Sequence, residues 1–114
     1  MLTVQEKSKA IVAALEEIKG NDIVVIDTTK KSNLFDCMII ASANSTRQTR
    51  ALAHNVEKKL LELGATIYST EGEKSGEWVL IDLGEILVHV MQPGVRAYYS
   101  LEELWTKHPA PPAK

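Results

Sequence analysis

The sequence contains a single cysteine, Cys37, among its 114 residues. One cysteine excludes an internal disulfide and a zinc site built from several thiolates, so a reduced, cytoplasmic setting is the simplest expectation. No apolar run approaches the roughly 20 residues that a membrane-spanning helix needs. The first ten residues, MLTVQEKSKA, lack the apolar stretch of a secretory signal. These absences argue against a membrane partner.

Positive charge is also scarce. Lys and Arg total 13 against 15 Asp and Glu, which gives a net charge of −2. A free-standing nucleic-acid-binding domain usually carries a basic excess, so any RNA contact is expected to be local or assisted by a protein partner. His54, His89 and His108 are scattered without the spacing of metal ligands. We therefore predict no metal and no cofactor.

The composition is that of one globular domain. Hydrophobic residues make up 45% and charged residues 25% of the chain, an ordinary balance for a folded protein. A chain of this length supports a single modest core. We assign residues 1–107 to one domain and residues 108–114, HPAPPAK, to a flexible C-terminal tail.

Capping boxes predict where two helices begin, at Thr3 and at Ser45. Gly20 and Gly64 are placed to end them. The stripe of the second helix consists of Leu52, Val56, Leu60 and Leu63. Apolar runs at 22–27 and 37–43 predict two strands with little solvent exposure. The alternating stretch at 66–72 predicts a third strand nearer an edge.

The segment GEWVLIDLGEILVHVM, residues 76–91, predicts a β-hairpin, and Ser100 is placed to cap a final short helix carrying Leu101, Leu104 and Trp105. The predicted order is helix, strand, strand, helix, three strands and helix. This favours an α/β (α+β) fold with a mixed sheet of about five strands and flanking helices. The unit from Cys37 to Thr70 predicts a right-handed crossover between parallel strands. The last three strands should pair antiparallel.

The hairpin separates its side chains into two unlike sets. A turn centred on Leu83 and Gly84 places Ile81 opposite Ile86 and Val79 opposite Val88, and side chains then alternate between the faces. One face is aliphatic and comprises Val79, Ile81, Ile86, Val88 and Val90. The other comprises Trp78, Leu80, Asp82, Glu85, Leu87, His89 and Met91.

The second set has the composition of a partly exposed protein-docking surface, with aromatic and aliphatic anchors around a few charges. The alternative is a half-buried sheet face beneath a helix. Catalysis fits less well, because Asp82 lies too far along the strand to orient His89, and no nucleophile is placed nearby. The sequence therefore predicts a docking surface and no catalytic residue.

A basic stripe follows the second helix. Arg47, Arg50, His54 and Lys58 recur at spacings of three and four residues and so share one side. Arg47, Arg50 and Lys58 are candidate contacts for RNA phosphates. The alternative is a solvated face balanced by nearby glutamates.

The C-terminal half closely resembles the signature of the Iojap/RsfS family of ribosomal silencing factors. The signature has a Trp-x-Leu-x-Asp-x-Gly turn, a Val-His strand, an Arg, a Tyr-Tyr pair and Leu-Glu-x-Leu-Trp. These motifs match Trp78, Leu80, Asp82, Gly84, Val88, His89, Arg96, Tyr98, Tyr99, Leu101, Glu102, Leu104 and Trp105. Upstream, the family's strand and helix start match Asp36, Ser45, Arg47 and Gln48. Leu83, Glu85 and Met91 differ from the usual Tyr, Asp and Phe.

The resemblance implies binding to the large ribosomal subunit through its universal protein number fourteen, which blocks joining of the small subunit and lowers translation when nutrients are short. It also implies a homodimer off the ribosome and a nucleotidyltransferase-like fold without that chemistry. The expected partner contacts are Trp78, Leu80, Asp82, Glu85, His89, Met91, Arg96 and Tyr99.

Two other functions stay open at this point. A nucleotidyltransferase-like enzyme would need a Gly-Ser turn and paired carboxylates for metal ions, whereas this chain has Ala43-Asn44-Ser45 and the isolated Asp27. A plain dimerising scaffold would also use an apolar patch.

Overall fold

A computed structural model describes residues 2–101 and residue 103. The elements are α1 (Val4–Glu17), β1 (Asn21–Asp27), β2 (Cys37–Ser42), α2 (Thr46–Glu62), β3 (Ser69–Glu71), β4 (Trp78–Asp82), β5 (Ile86–Met91) and α3 (Pro93–Tyr99). This order matches the predicted one, although the last labelled helix begins at Pro93 and not after Ser100. The fold is α+β with one five-stranded mixed sheet.

The two long helices begin where side-chain caps predict. The Thr3 hydroxyl accepts the Glu6 N–H while the Glu6 carboxylate accepts the Thr3 N–H, which completes a capping box. At α2 the Ser45 hydroxyl accepts the Gln48 N–H, but the Gln48 side chain accepts the N–H of Asn44 instead of closing a box with Ser45. The start of α2 was therefore predicted correctly and its reciprocal bond was not.

The strands are arranged in the order β1-β2-β5-β4-β3. Among the strands that the structure describes, only β2 and β5 pair parallel. β1 pairs antiparallel with β2, and β4 pairs antiparallel with both β3 and β5. The strands on either side of α2, β2 and β3, run in the same direction as predicted, with β5 and β4 between them. The expected antiparallel pairing of the last three strands is confirmed.

Burial differs sharply between β1 and β2. All six residues of β2 are buried, as predicted for the centre of a sheet. In β1 only Ile26 is buried, and Val25 is 50% exposed. The prediction of a buried β1 was wrong because this strand lies at the sheet edge, a position that a β-branched run does not reveal.

Both long helices pack on one face of the sheet and form the main core with it. The fully buried side chains of this core include Ile11 and Leu15 from α1, Leu52, Val56 and Leu60 from α2, and Ile39, Val79, Ile81, Val88 and Val90 from the strands. Leu63, expected in the α2 stripe, caps the helix and is 44% exposed. The core is thus an aliphatic layer between two helices and the central strands.

The hairpin register differs from the prediction by two residues. Ile81 faces Val88 and Val79 faces Val90, and the Leu83 N–H donates to the Ile86 carbonyl at 3.0 Å. The turn is therefore centred on Gly84 and Glu85. A shift of two residues preserves the alternation of side chains, so the strand residues keep their predicted faces despite the wrong pairing, while Glu85 falls in the turn and pairs with Lys7.

The helix α3 was not predicted. Ser100 has a left-handed backbone conformation and ends α3. Leu101 and Glu103 are helical, while the rest of the predicted final helix, including Leu104 and Trp105, lies outside the described residues, as does the predicted tail at 108–114. Within residues 2–101 and 103, no helix combines the length and apolarity needed to cross a membrane.

Candidate docking face

The hairpin face is the side of β4 and β5 that points away from α1 and α2. It carries Trp78, Leu80, Asp82, Leu87, His89 and Met91. The short helix α3 follows β5 directly and covers one end of this face. Trp78, Leu80, Asp82 and Leu87 are half-buried, which leaves part of each side chain in contact with solvent.

Met91 lies beneath this surface rather than on it. It is fully buried in a second cluster with Ile26, Met38 and Ile40, and Val95 and Leu101 pack against that cluster. The expectation that Met91 is partly exposed was therefore wrong, because it did not include a helix immediately after β5. Met91 supports the hairpin face from below.

Trp78 is held between two aromatic rings. Its indole N–H donates a hydrogen bond to His89 Nδ1 at 2.9 Å, and its ring centroid lies 4.8 Å from that of Tyr99. Tyr99 is 51% exposed and makes an edge contact with Tyr98. Aromatic pairs at such distances attract beyond simple area burial. The half-exposed indole is consequently fixed before any partner arrives.

His89 is only 5% exposed, so the expectation of a partly exposed histidine was also wrong. Because Nδ1 accepts from Trp78, the proton of the neutral ring must sit on Nε2. That Nε2 atom is buried and finds no hydrogen-bond partner among the described residues. Burial lowers the pKa of His89 to about 4, since removing the imidazolium from water disfavours its charge. The ring is neutral at physiological pH.

Asp82 closes the hairpin turn. Its carboxylate accepts the Gly84 N–H at 2.7 Å, an Asx turn that suits the left-handed Gly84 at φ 87°. Asp82 is paired with Leu87, whereas His89 is paired with Leu80. The imidazole is oriented by Trp78 and not by Asp82. The pair therefore lacks the geometry of a general base and its orienting carboxylate.

Two further predicted contacts are occupied within the chain. The Glu85 carboxylate forms an ion pair with Lys7 of α1 at 2.5 Å, which draws it toward the side of the sheet that the helices cover. Arg96 is 9% exposed, and its guanidinium donates to the Ser42 hydroxyl at 2.7 Å. The structure does not bring either charge together with Trp78 and Asp82 on the exposed part of the hairpin face.

Several apolar side chains near this face, half-buried or exposed, were not among the predicted partner contacts. Leu87 is half-buried opposite Asp82, and Phe35 packs against the second cluster. Leu34 and Tyr98 are 84% and 81% exposed. The alternation of β5 already placed Leu87 on this face. The loop between β1 and β2, which carries Leu34 and Phe35, could not be placed from a local pattern. It lies beside the hairpin turn because the Asp36 N–H donates to the Glu85 carbonyl at 2.8 Å.

The basic stripe of α2 is only partly available. Arg47, His54 and Lys58 are exposed. The Arg50 guanidinium instead donates through Nε to the Glu73 carbonyl at 2.7 Å and also to the Lys74 carbonyl. Arg50 thus holds the turn between β3 and β4, a role that helical spacing does not reveal. Within residues 2–101 and 103, no group of three or more His, Cys, Asp or Glu side chains is arranged to hold a metal ion.

The sequence is similar to a family of known proteins. Residues 2–113 match the family model described as "Ribosomal silencing factor during starvation". The chain is 52% identical over 104 residues to the ribosomal silencing factor RsfS of Chromobacterium violaceum, covering 91% of this chain and 85% of that protein. It is 35% identical to the protein of the same name from Bacillus subtilis, covering 89% and 86%.

Solved structures agree with these sequence matches. A crystal structure of a Chromobacterium violaceum protein superimposes with a TM-score of 0.90 at 52% identity, covering 91% of this chain and 87% of that one. A crystal structure from Bacillus halodurans gives a TM-score of 0.80 at 39% identity, covering 89% and 94%. The sheet and helices described above are therefore shared with proteins of known structure.

Proposed function

The chain belongs to the ribosomal silencing factor family, and we propose that it represses translation by binding the large ribosomal subunit through universal protein number fourteen. In this proposal the bound factor blocks joining of the small subunit when nutrients are limiting. The action is steric and takes place in the cytoplasm. No catalytic step is required of the protein.

The observation that carries this proposal is the position of Trp78. It is half-buried on the hairpin face and already held by His89 and Tyr99. A large aromatic side chain that is ordered before binding loses little conformational freedom on contact with a partner. Leu80 and Leu87 extend the apolar surface on either side. This is the composition of an interface centre.

The charge of Asp82 suits a ribosomal partner. Ribosomal proteins are generally basic, and a carboxylate beside an apolar anchor provides electrostatic complementarity to such a surface. Since Glu85 is paired with Lys7, Asp82 is the acidic residue of the hairpin face that we assign to direct contact. Tyr99 contributes at the edge, while His89, Met91 and Arg96 act by supporting the surface.

We also propose that the same face binds a second copy of the chain when the protein is not bound to the ribosome. The half-exposed Trp78 and Leu80 would otherwise stay in water when no ribosome is bound. A homodimer formed through these residues would compete with the subunit for the protein. In the basic stripe we assign Arg47 and Lys58, which are exposed, to contact with ribosomal RNA.

The test is sedimentation of the protein with purified large subunits, followed by addition of small subunits. We expect the protein to sediment with free large subunits, to be absent from joined ribosomes, and to reduce joining. Equal amounts on free and joined particles would exclude a steric block.

The contribution of Asp82 is tested with two substitutions. Asp82→Asn keeps an oxygen that accepts the Gly84 N–H and removes the charge, while Asp82→Lys reverses the charge and also loses the turn bond. We expect subunit binding to weaken for Asn and to be abolished for Lys. Binding of Asp82→Lys at the parent level would remove Asp82 from the interface.

A further inference from the structure

β1 and β3 form the two edges of the sheet. The outer edge of β1 borders an open groove. The groove has a volume of about 700 Å³ and lies between α1, β1 and the start of β2. Its apolar lining comes from Val4, Val12 and Ala13 of α1 and from Val25 of β1. The two long helices cover the central strands but leave Val25 50% exposed. An edge strand and an apolar groove thus meet at one place.

The backbone of β1 is free to pair on this side. β1 is the first strand in the sheet order, and no strand within residues 2–101 and 103 pairs with its outer edge. The Thr28 N–H donates to the Asp36 carbonyl at 3.0 Å, which fixes the alternation of the antiparallel ladder. Every second residue counted back from Thr28, namely Ile26 and Val24, therefore directs its N–H and C=O groups toward β2. Val25 and Asp27, which lie between them, direct theirs outward.

The side chains of the same two residues line the groove. A residue of an added antiparallel strand that exchanges hydrogen bonds with Val25 would place its own side chain on the same face, next to Val25. A residue two positions away would lie opposite Asp27. The partner residues that pair with the backbone of Val25 and Asp27 are therefore the same residues whose side chains enter the groove.

Charge selects the chemistry of that partner. Glu16, Asp27 and Asp36 contribute three carboxylates to the groove lining, against the single ammonium group of Lys9. Asp27 is exposed and accepts hydrogen bonds from Thr29, which lower the pKa of its carboxyl group. The carboxylate stays ionised at neutral pH. A Lys or Arg opposite Asp27 would complement this end of the groove.

The middle of the edge strand has neither lysine nor proline, two residues that commonly block pairing at a sheet edge. Residues 23–26 of β1 are Ile-Val-Val-Ile. The register irregularity between Asn21 and Val24 limits regular pairing to the second half of the strand. This half contains Val25 and Asp27, the two residues that the groove requires.

We propose that β1 binds an extended segment of another protein as a sixth, antiparallel strand. The segment carries an aliphatic residue opposite Val25 and a Lys or Arg opposite Asp27, two residues before the aliphatic one in its own sequence. This mode joins main-chain hydrogen bonds with pockets for alternate side chains. The site is separate from the hairpin face, so it does not depend on the proposed silencing function.

The probe is the capped peptide acetyl-Thr-Lys-Thr-Val-Thr-Val-Thr-amide, added to the ¹⁵N-labelled full chain. We expect the amide signals of Val24 to Asp27 to shift and hydrogen exchange at the Val25 and Asp27 amides to slow. A peptide with Glu in place of Lys should bind about tenfold more weakly, and Asp27→Asn, which keeps one acceptor oxygen for Thr29, should remove that preference.

Two controls separate strand addition from simple groove filling. A peptide N-methylated at the valine opposite Val25 keeps its side chains and loses one backbone donor, so it should not bind. Val25→Lys should also abolish binding with little change in melting, since Val25 is half exposed. Equal binding of the N-methylated peptide would overturn the proposal, as would unchanged β1 amides at millimolar peptide. Protection of these amides that rises with protein concentration alone would assign the edge to a second copy instead.

Discussion

The two faces of the β4–β5 hairpin differ in what covers them, although one stretch of 16 residues supplies both. On one face Val79, Ile81, Val88 and Val90 are all 0% exposed beneath α1 and α2. On the other face Trp78 and Leu80 are only half-buried, and α3 covers only one end. The alternation of the strands separates the side chains, and the position of the helices decides which set is sealed from water.

This difference divides the roles of neighbouring residues. The sealed face contributes to stability through removal of aliphatic surface from water, at about 25 cal/mol per Å². The hairpin face keeps a polar turn, an aromatic anchor and a buried histidine with an unpaired Nε2. An unpaired buried donor lowers stability, whereas the Nδ1 atom of the same ring accepts from Trp78 and holds the indole in place.

The largest expected effect is the loss of stability on truncating the sealed face. Ile81→Ala removes atoms from a fully buried side chain and should lower the free energy of unfolding by about 2–5 kcal/mol. Leu80→Ala, one residue earlier and half-exposed, should cost much less and should instead weaken subunit binding. Denaturant unfolding of both variants measures the contrast, and similar losses would show that the hairpin face is as well packed as the core.

A second expected effect is a loss of stability in acid that His89 controls. In the unfolded chain a histidine titrates near 6.5, whereas burial lowers the pKa of His89 to about 4 in the fold. The neutral ring therefore contributes stability that is fully present above pH 6.5. This stability is lost as the pH falls toward 4, by about 3 kcal/mol in all.

The variant His89→Gln isolates this contribution. Its amide oxygen offers an acceptor for the Trp78 indole N–H and cannot be protonated in this range. As the pH is lowered from 6.5 to 4, the unfolding free energy of the parent should fall relative to that of the variant. A constant difference across that interval would mean that His89 does not resist protonation in the fold.

Local signals predicted the frame of the fold but not its contacts across the chain. Thr3 and Ser45 gave the helix starts because capping bonds join residues three apart. The pattern of β4 and β5 gave the correct faces even though the pairing was wrong, because a shift of two residues keeps the alternation. The exposure of β1 was missed because an edge position depends on the order of all the strands.

The candidate site was predicted less completely, for two physical reasons. Proline at the first helical position is a helix signal, but Pro93 was not used to predict a helix, and Val95 of the missed α3 packs against the cluster that contains Met91. The contact between Lys7 and Glu85 joins residues 78 positions apart. No local pattern in the sequence could have shown that this carboxylate is drawn away from Asp82.

The third expected effect is mainly on binding. Trp78→Ala should weaken subunit binding by about 2 kcal/mol or more, as central aromatic anchors do, while Tyr99→Phe keeps the ring contact and should change little. Trp78→Ala should also lower stability by about 1–3 kcal/mol, because the buried His89 Nδ1 loses its donor. Sedimentation with large subunits and thermal melting measure the two properties. A large fall in melting temperature with unchanged binding would mean that Trp78 belongs to the core and not to the interface.

The smallest expected effect separates Arg47 from Arg50 on the basic stripe. Arg47 is exposed, so Arg47→Ala should leave melting unchanged and, if it contacts an RNA phosphate, should reduce the salt dependence of subunit binding by about one unit of slope. Arg50 holds the carbonyls of Glu73 and Lys74, so Arg50→Ala should lower stability by about 1 kcal/mol with the slope intact. Binding measured over a series of salt concentrations distinguishes the two. Equal slopes for the parent and both variants would make the stripe a solvated face, and the protein contact at Trp78 would then account for the binding alone.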